Sequence, residues 1–252
     1  MIKAKPYKDL NKLPALTISF WVMKICATTL GETFGDLLSM TMHIGYALSS
    51  CILLMVFFAS LFVQLLGKKF HPVIYWFVIL STSTAGTTIS DYMDRTLNLG
   101  YAMGSCILAG MLLLVLFIWK QKEKSISVTH IKSVRGEIFY WTAILFSNTL
   151  GTALGDFLAD NSGLGFLGGA MLIGGLLSLL ALAHYFTKIS TLVLFWAAFV
   201  LTRPFGATFG DLLTKPLQSG GLNLGTLGSS AVLFSILAIW VAWSVKKVKR
   251  ES

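Results

Sequence analysis

The chain has little of what disulfide-built or catalytic soluble proteins depend on. Its 252 residues hold three cysteines, five prolines and four histidines, and only 12% of them are charged. Cys26, Cys51 and Cys106 stand far apart with no CxxC spacing, which excludes a disulfide framework or a thiolate metal site and leaves them as packing residues. His43, His71, His130 and His184 fall at the ends of apolar stretches or between them, without metal-ligand spacing. There is no phosphate-binding glycine loop, no zinc-protease motif, no nucleophile elbow and no dinucleotide fingerprint. No nucleophile and base recur as a pair, so no enzyme activity and no covalent cofactor are expected.

What fills the chain instead is apolar: 55% of the residues are hydrophobic and the mean hydropathy is +0.76. Apolar stretches run over roughly 15–38, 44–66, 73–89, 99–119, 138–158, 164–186, 191–213 and 224–245. Each is close to the 17 to 25 residues a helix needs to cross the hydrocarbon core, and none shows the alternation of a barrel strand. The reading is an all-α membrane protein with eight transmembrane helices, and the lipid bilayer is its first partner.

Charge then sets orientation, since Lys and Arg near helix ends stay in the cytoplasm. The N-terminal arm, Lys68-Lys69, the 120–137 linker, Lys188 and the tail hold 16 of the 20 basic residues. With eight spans these segments share one side, so both termini are expected to be cytoplasmic. The net charge of +9 follows from that topology and implies no nucleic-acid partner. The expected organisation is an arm at 1–14, a first half at 15–119, a basic linker at 120–137, a second half at 138–245 and a basic tail at 246–252. The first helix is expected to remain uncleaved, because a signal-peptide cut would destroy the first copy of an internal repeat.

That repeat occurs four times. Phe20-Trp21, Tyr75-Trp76, Tyr140-Trp141 and Phe195-Trp196 start the copies, and Gly31, Gly86, Gly151 and Gly206 stand ten residues after each Trp. Asp36, Asp91, Asp156 and Asp211 follow five residues later, each behind a small residue. The Trp residues are 55, 65 and 55 positions apart, the mark of a duplicated duplication. An even number of spans per copy makes the repeats parallel, with pseudo-symmetry about the membrane normal. Fifteen residues of helix put each Asp about 22 Å beyond its Trp, in the outer part of the bilayer.

Each element has a packing reading beside a functional one. Trp in the first turn suits an interfacial belt. The pairs Gly31/Gly35, Gly151/Gly155 and Gly206/Gly210, with Gly45/Ser49, Gly100/Gly104, Gly165/Gly169 and Gly225/Ser229 on the even helices, suit close helix contact. Asp could accept backbone N–H bonds at a helix break. Against this, an intramembrane carboxylate is penalised by about 2.5–3.5 kcal/mol and normally faces water or a cation. Four together must bind protons, a metal or basic side chains. Thr29, Thr84, Thr149 and Asn148 would complete an oxygen-rich set suited to Mg2+, Mn2+ or protons.

Symmetry is broken by Lys24, Glu32 and Arg203, which replace apolar, hydroxyl or amide residues of the other copies. Lys24, Thr28, Glu32 and Asp36 form a polar stripe on one helix. Lys24 and Arg203 could neutralise the acids, gate a path or snorkel to the surface.

Four tandem copies, each with two spans, a Trp and a Gly-Asp element, resemble a bacterial family of four-repeat integral membrane proteins known as a repeat of unknown function. The likeness covers Leu16 to Trp243, with Ser90 and Pro204 as local departures. It implies a bacterial inner-membrane protein without implying an activity. Glu32-Thr33-Phe34-Gly35-Asp36 is also similar to the acidic glycine motif of some divalent-cation exchangers, with spacing that differs by one residue.

The expected function is a transporter or channel for cations. Its sharpest form is export of a divalent metal such as Mn2+ against protons, with the four Asp residues as metal ligands and a bound divalent cation as the only cofactor. The alternatives are a transporter of a small organic solute and a non-transporting sensor or scaffold. A second copy of the chain is kept open as a partner.

Overall fold

The computed structural model describes residues 14, 17–67, 69–124, 126, 131 and 133–251. The N-terminal arm apart from Pro14, Lys68, most of the middle of the linker including Lys132, and Ser252 lie outside the described residues. Among the described residues all regular structure is helical: α1 (Ile18–Asp36), α2 (Tyr46–Leu66), α3 (Pro72–Asp91), α4 (Gly100–Glu123), α5 (Val134–Asp156), α6 (Gly165–Phe186), α7 (Thr191–Thr214) and α8 (Thr226–Glu251). The tail read as a separate segment continues α8 through Glu251.

Helix starts follow local chemistry. The Thr17 hydroxyl accepts from the Phe20 amide at 3.4 Å, and the Ser133 hydroxyl accepts from Gly136 at 2.9 Å, each satisfying one orphan N–H of the first turn. Pro72 opens α3, where its missing N–H removes nothing the helix needs.

Six helices are long and apolar enough to cross a membrane: α2, α3 with its extension to Thr96, α4, α6, α7 and α8 to Lys246. The chain is a membrane protein on that ground. The two outside this set, α1 and α5, carry Lys24, Glu32, Asp36, Glu137, Asn148 and Asp156, all buried against protein. Their polarity answers to neighbouring helices, which a measure of apolar length cannot register.

The odd helices form the interior. Each of α1, α3, α5 and α7 packs on two others, α1 on α3 and α7, α5 on α3 and α7, so the four close into a cycle. Around them α2 leans on α3, α4 on α5, α6 on α7 and α8 on α1. The outer helix of each copy thus covers the inner helix of the next, and the last covers the first. Residues such as Met55, Phe62, Leu113, Phe117, Met171 and Ile239 remain exposed on the outer helices, as lipid-facing surfaces require.

Close contact inside is set by the glycine ten residues after each Trp. A Cβ on Gly31 would lie 2.5 Å from the Ser83 Cβ, on Gly86 2.9 Å from the Thr149 nitrogen, on Gly151 2.9 Å from the Pro204 Cδ and on Gly206 2.8 Å from the Thr28 Cβ. Every inner helix therefore presses its glycine on the next one round the cycle. The even-helix glycines behave differently from the sequence reading. Gly45, Gly100, Gly165 and Gly225 meet nothing within 4 Å and have φ between 67° and 82°; they are turn residues, paired with His43, Asn98, Gly163 and Asn223, also at positive φ. Of their packing partners, Gly104 does pack, against Asp94, and Gly169 against Thr208.

The Trp residues also depart from expectation. Trp76, Trp141 and Trp196 are buried and Trp21 is half-buried, so they seal the interior and do not form an interfacial belt. Phe20 meets Trp76 at 5.7 Å, Tyr75 meets Trp141 at 5.5 Å and Phe195 meets Trp21 at 5.8 Å between ring centroids. The Tyr75 and Tyr140 hydroxyls join at 3.0 Å across this aromatic layer.

Candidate functional site

Positions four apart lie on one face of a helix, and each inner helix turns the same face to the others. Passing from the Trp end, the layers are Phe20, Tyr75, Tyr140 and Phe195; then Lys24, Ile79, Ile144 and Phe199; then Thr28, Ser83, Asn148 and Arg203; then Glu32, Thr87, Thr152 and Ala207; and last Asp36, Asp91, Asp156 and Asp211. All twenty are buried. The lower layers are aromatic and aliphatic, and the upper ones polar.

Lys24 is fully buried, so it does not snorkel to the surface. Its Nζ lies 3.5 Å from the Asn148 Oδ1 and 4.0 Å above the centre of the Phe199 ring, and Asn148 donates its Nδ2 to Thr82 at 2.9 Å. Among the described residues no carboxylate forms an ion pair with it. Arg203, also fully buried, does have one: its Nη2 donates to the Glu32 Oε2 at 2.9 Å, to the Ser83 carbonyl at 3.4 Å and to the Thr87 hydroxyl. The Thr87 and Thr152 hydroxyls lie 3.2 and 3.5 Å from the same Glu32 oxygen. Glu32 and Arg203, two of the three symmetry-breaking residues, are thus a matched pair across α1 and α7.

The four Asp residues meet in pairs. Arg95 places Nε 3.1 Å from the Asp91 Oδ1 and Nη2 3.1 Å from the Asp156 Oδ2. Its Nη1 lies 3.5 Å from the Tyr46 hydroxyl, and its guanidinium sits 5.8 Å from the centre of the Tyr101 ring. Lys215 places Nζ 2.7 Å from the Asp36 Oδ2 and 3.1 Å from the Asp211 Oδ1. Burial works against the Lys215 ammonium, but Asp211 and Asp36 outweigh it and hold its pKa above the ordinary lysine value. Glu32, Asp36 and Asp211 each bring one oxygen within 4.8 Å of the others.

The local backbone explains how the cations arrive. After each of the first three Asp residues the helix widens into a turn of π-helix, Leu37–Thr41, Tyr92–Thr96 and Phe157–Asn161, closed by amides bonding five residues back: Met42 to Leu37, Leu97 to Tyr92 and Ser162 to Phe157. Arg95 sits in the second of these. The fourth copy stays α-helical to Thr214, and Pro216 then lacks the N–H to continue.

Arg95 and Lys215 escaped the sequence reading, although a signal was there. Sixteen basic residues are accounted for by topology, and the other four are Lys24, Arg95, Arg203 and Lys215. Arg95 and Lys215 stand nineteen residues after the Trp of copies two and four, one helical turn past an Asp, where copies one and three have Met40 and Asp160. Thr29, Thr84 and Thr149 do not reach the carboxylates: their hydroxyls bond back to Ile25, Leu80 and Leu145, since they lie one position off the inward stripe. Asn148 lies in the layer of Arg203 and accepts from Lys24 in the layer below. His43 is exposed in its turn.

A family model described as Repeat of Unknown Function (DUF347) matches the chain four times, over residues 19–70, 74–125, 139–190 and 194–249. The chain belongs to that family. Each matched segment holds one inner and one outer helix and one of the four buried Asp residues. No curated protein and no solved structure matches the chain.

Proposed function

We propose that this member of the repeat family is an eight-span transporter for a small cation in a bacterial inner membrane, with both termini cytoplasmic and pseudo-symmetry about the membrane normal. The observation that carries the reading is the burial of Glu32 and four Asp residues at one end of the central helices, against three buried or half-buried cations, Arg95, Arg203 and Lys215. Holding five carboxylates there is costly by about 2.5–3.5 kcal/mol each unless a cation is part of the resting arrangement. Oxygen donors of this kind suit a divalent ion such as Mn2+, exchanged for protons. The cyclic contacts of α1, α3, α5 and α7 support the pseudo-symmetry, and α1 and α5 complete the eight spans as helices whose polar side is covered. A carrier is preferred to an open channel, because Ile79, Ile144, Phe199 and the aromatic layer close the column below the carboxylates. An organic solute gains no support, as the Trp, Phe and Tyr residues at the opposite end pack on one another.

A second reading, a non-transporting scaffold or sensor, is favoured by the pairing of each of the four repeated Asp residues with a basic side chain. Purified protein in sealed vesicles separates the two. Transport predicts Mn2+ uptake coupled to proton movement, reduced about tenfold or more by Asp156→Asn in a variant that still folds and inserts. Equal flux in the two proteins removes Asp156 from the mechanism, and flux in neither leaves the scaffold.

A further inference from the structure

The two closed carboxylate pairs are built differently, and the difference decides which one can open. Arg95 is embedded in the widened turn Tyr92–Thr96, forks between Asp91 and Asp156, and is flanked by Tyr46 and Tyr101. Lys215 is the first residue after α7, followed by Pro216 and the short turn Leu217–Ser219; its side chain is 20% exposed and that of Arg95 30%, so the two differ in how they are anchored and not in their access to water. Among the described residues its ammonium is held by Asp36 and Asp211 alone. A lysine is a point charge on a flexible stem, whereas a forked guanidinium is fixed by its plane. Among the described residues it is the Lys215 pair that a third carboxylate, Glu32, joins with its oxygen within 4.8 Å of both acids.

We infer that Lys215 is a resident counter-cation occupying a divalent-cation site formed by Glu32, Asp36 and Asp211, and that the arriving ion displaces its ammonium. Charge supports the exchange. Three carboxylates with Arg203 bound to Glu32 leave a formal −2; one ammonium neutralises half of that and one divalent ion all of it. A cation already sits against two of the three acids, so the position is one that holds positive charge in the resting protein. Hard divalent ions bind such oxygens at about 2.0–2.6 Å and complete their shell with water, which the exposed side of Lys215 can admit.

The inference takes from the transport reading only the location of the site, and the two fail separately. Ion binding without flux removes transport and leaves this site; flux with binding insensitive to Lys215 does the reverse. The test measures Mn2+ binding to the full chain in detergent, by the electron paramagnetic resonance of free Mn2+. Lys215→Gln should bind about tenfold more tightly or better, because the competitor is gone. Adding Asp211→Asn to that variant should abolish the gain, and Arg95→Gln alone should not reproduce it. Lys215→Gln leaves two carboxylates without a counter-charge, so a second measurement uses the unaltered protein: Mn2+ should raise acylation of Lys215 by an amine-reactive reagent, read by peptide mass spectrometry. Binding no tighter in Lys215→Gln, a gain that survives Asp211→Asn, or Lys215 labelling unchanged or lowered by Mn2+ would each overturn the assignment.

Discussion

Arg203 and Glu32 are the most deeply buried ion pair described, at 0% and 3% side-chain exposure with 2.9 Å between Nη2 and Oε2. Removing the guanidinium while keeping the stem, as in Arg203→Met, strands a carboxylate in the middle of four helices. Breaking a buried pair by deleting one partner costs about 3–5 kcal/mol. Here the Thr87 and Thr152 hydroxyls remain on the same Glu32 oxygen, which puts the expected loss at the lower end, about 3 kcal/mol. Glu32→Gln strands the guanidinium in turn, with the Ser83 carbonyl and the Thr87 hydroxyl still beside it, and a similar loss of about 3 kcal/mol follows.

The decisive quantity is the double variant. With both charges gone no stranded ion is left, so Glu32→Gln/Arg203→Met should cost no more than either single change. That gives a coupling of about 3 kcal/mol, roughly 150-fold in the unfolding equilibrium. Reversible unfolding of the four proteins in mixed micelles, followed by helical circular dichroism, measures it. If the two losses simply add, to within about 0.5 kcal/mol, the pair is not a unit and the matched-substitution argument fails.

The same titration gives the opposite expectation for Lys24. Lys24→Met removes a buried ammonium and strands no carboxylate, so stability should hold or rise by about 1 kcal/mol, and a loss above about 2 kcal/mol would contradict the placement of Lys24. Gly206→Ala drives a methyl to 2.8 Å from Thr28 and should cost about 1–3 kcal/mol; Gly228→Ala, with nothing within 4 Å, should be neutral or slightly stabilising, and comparable melting shifts for the two would refute close contact in the inner cycle.

Helix positions were legible because bilayer thickness constrains apolar length and the repeat constrains register. The stripe of Lys24, Thr28, Glu32 and Asp36 was legible for the same reason, since positions four apart share a helix face whatever surrounds them. Partners across helices were not. Arg203 stands 171 residues from Glu32 and Lys215 stands 179 from Asp36, and no local periodicity encodes which inner helix follows which. Nor could the pattern tell that Trp141 would be buried in the core and not at the lipid interface, because an aromatic in the first turn of a span fits both environments. The glycines misled in a related way. Gly31 and Gly45 each precede a small residue by four, yet one presses on Ser83 while the other turns the chain at φ 82°.

The pairing of the acids follows from the duplicated duplication more than from the fourfold repeat. A base at the nineteenth position occurs only in copies two and four, and each reaches its own Asp and that of the next copy round the cycle. This closes the four carboxylates as two pairs, each around one base. The charged departures within the inward stripe fall on α1 and α7: Lys24 and Glu32 on the first, Arg203 on the second. Glu32 adds a third acid beneath the Lys215 pair, and Arg203 in the adjacent layer fixes that acid in place. Had the extra charges served packing alone, either pair could have carried them. Their concentration beneath the one pair whose cation lies beyond a helix end is what a binding position with a movable plug requires.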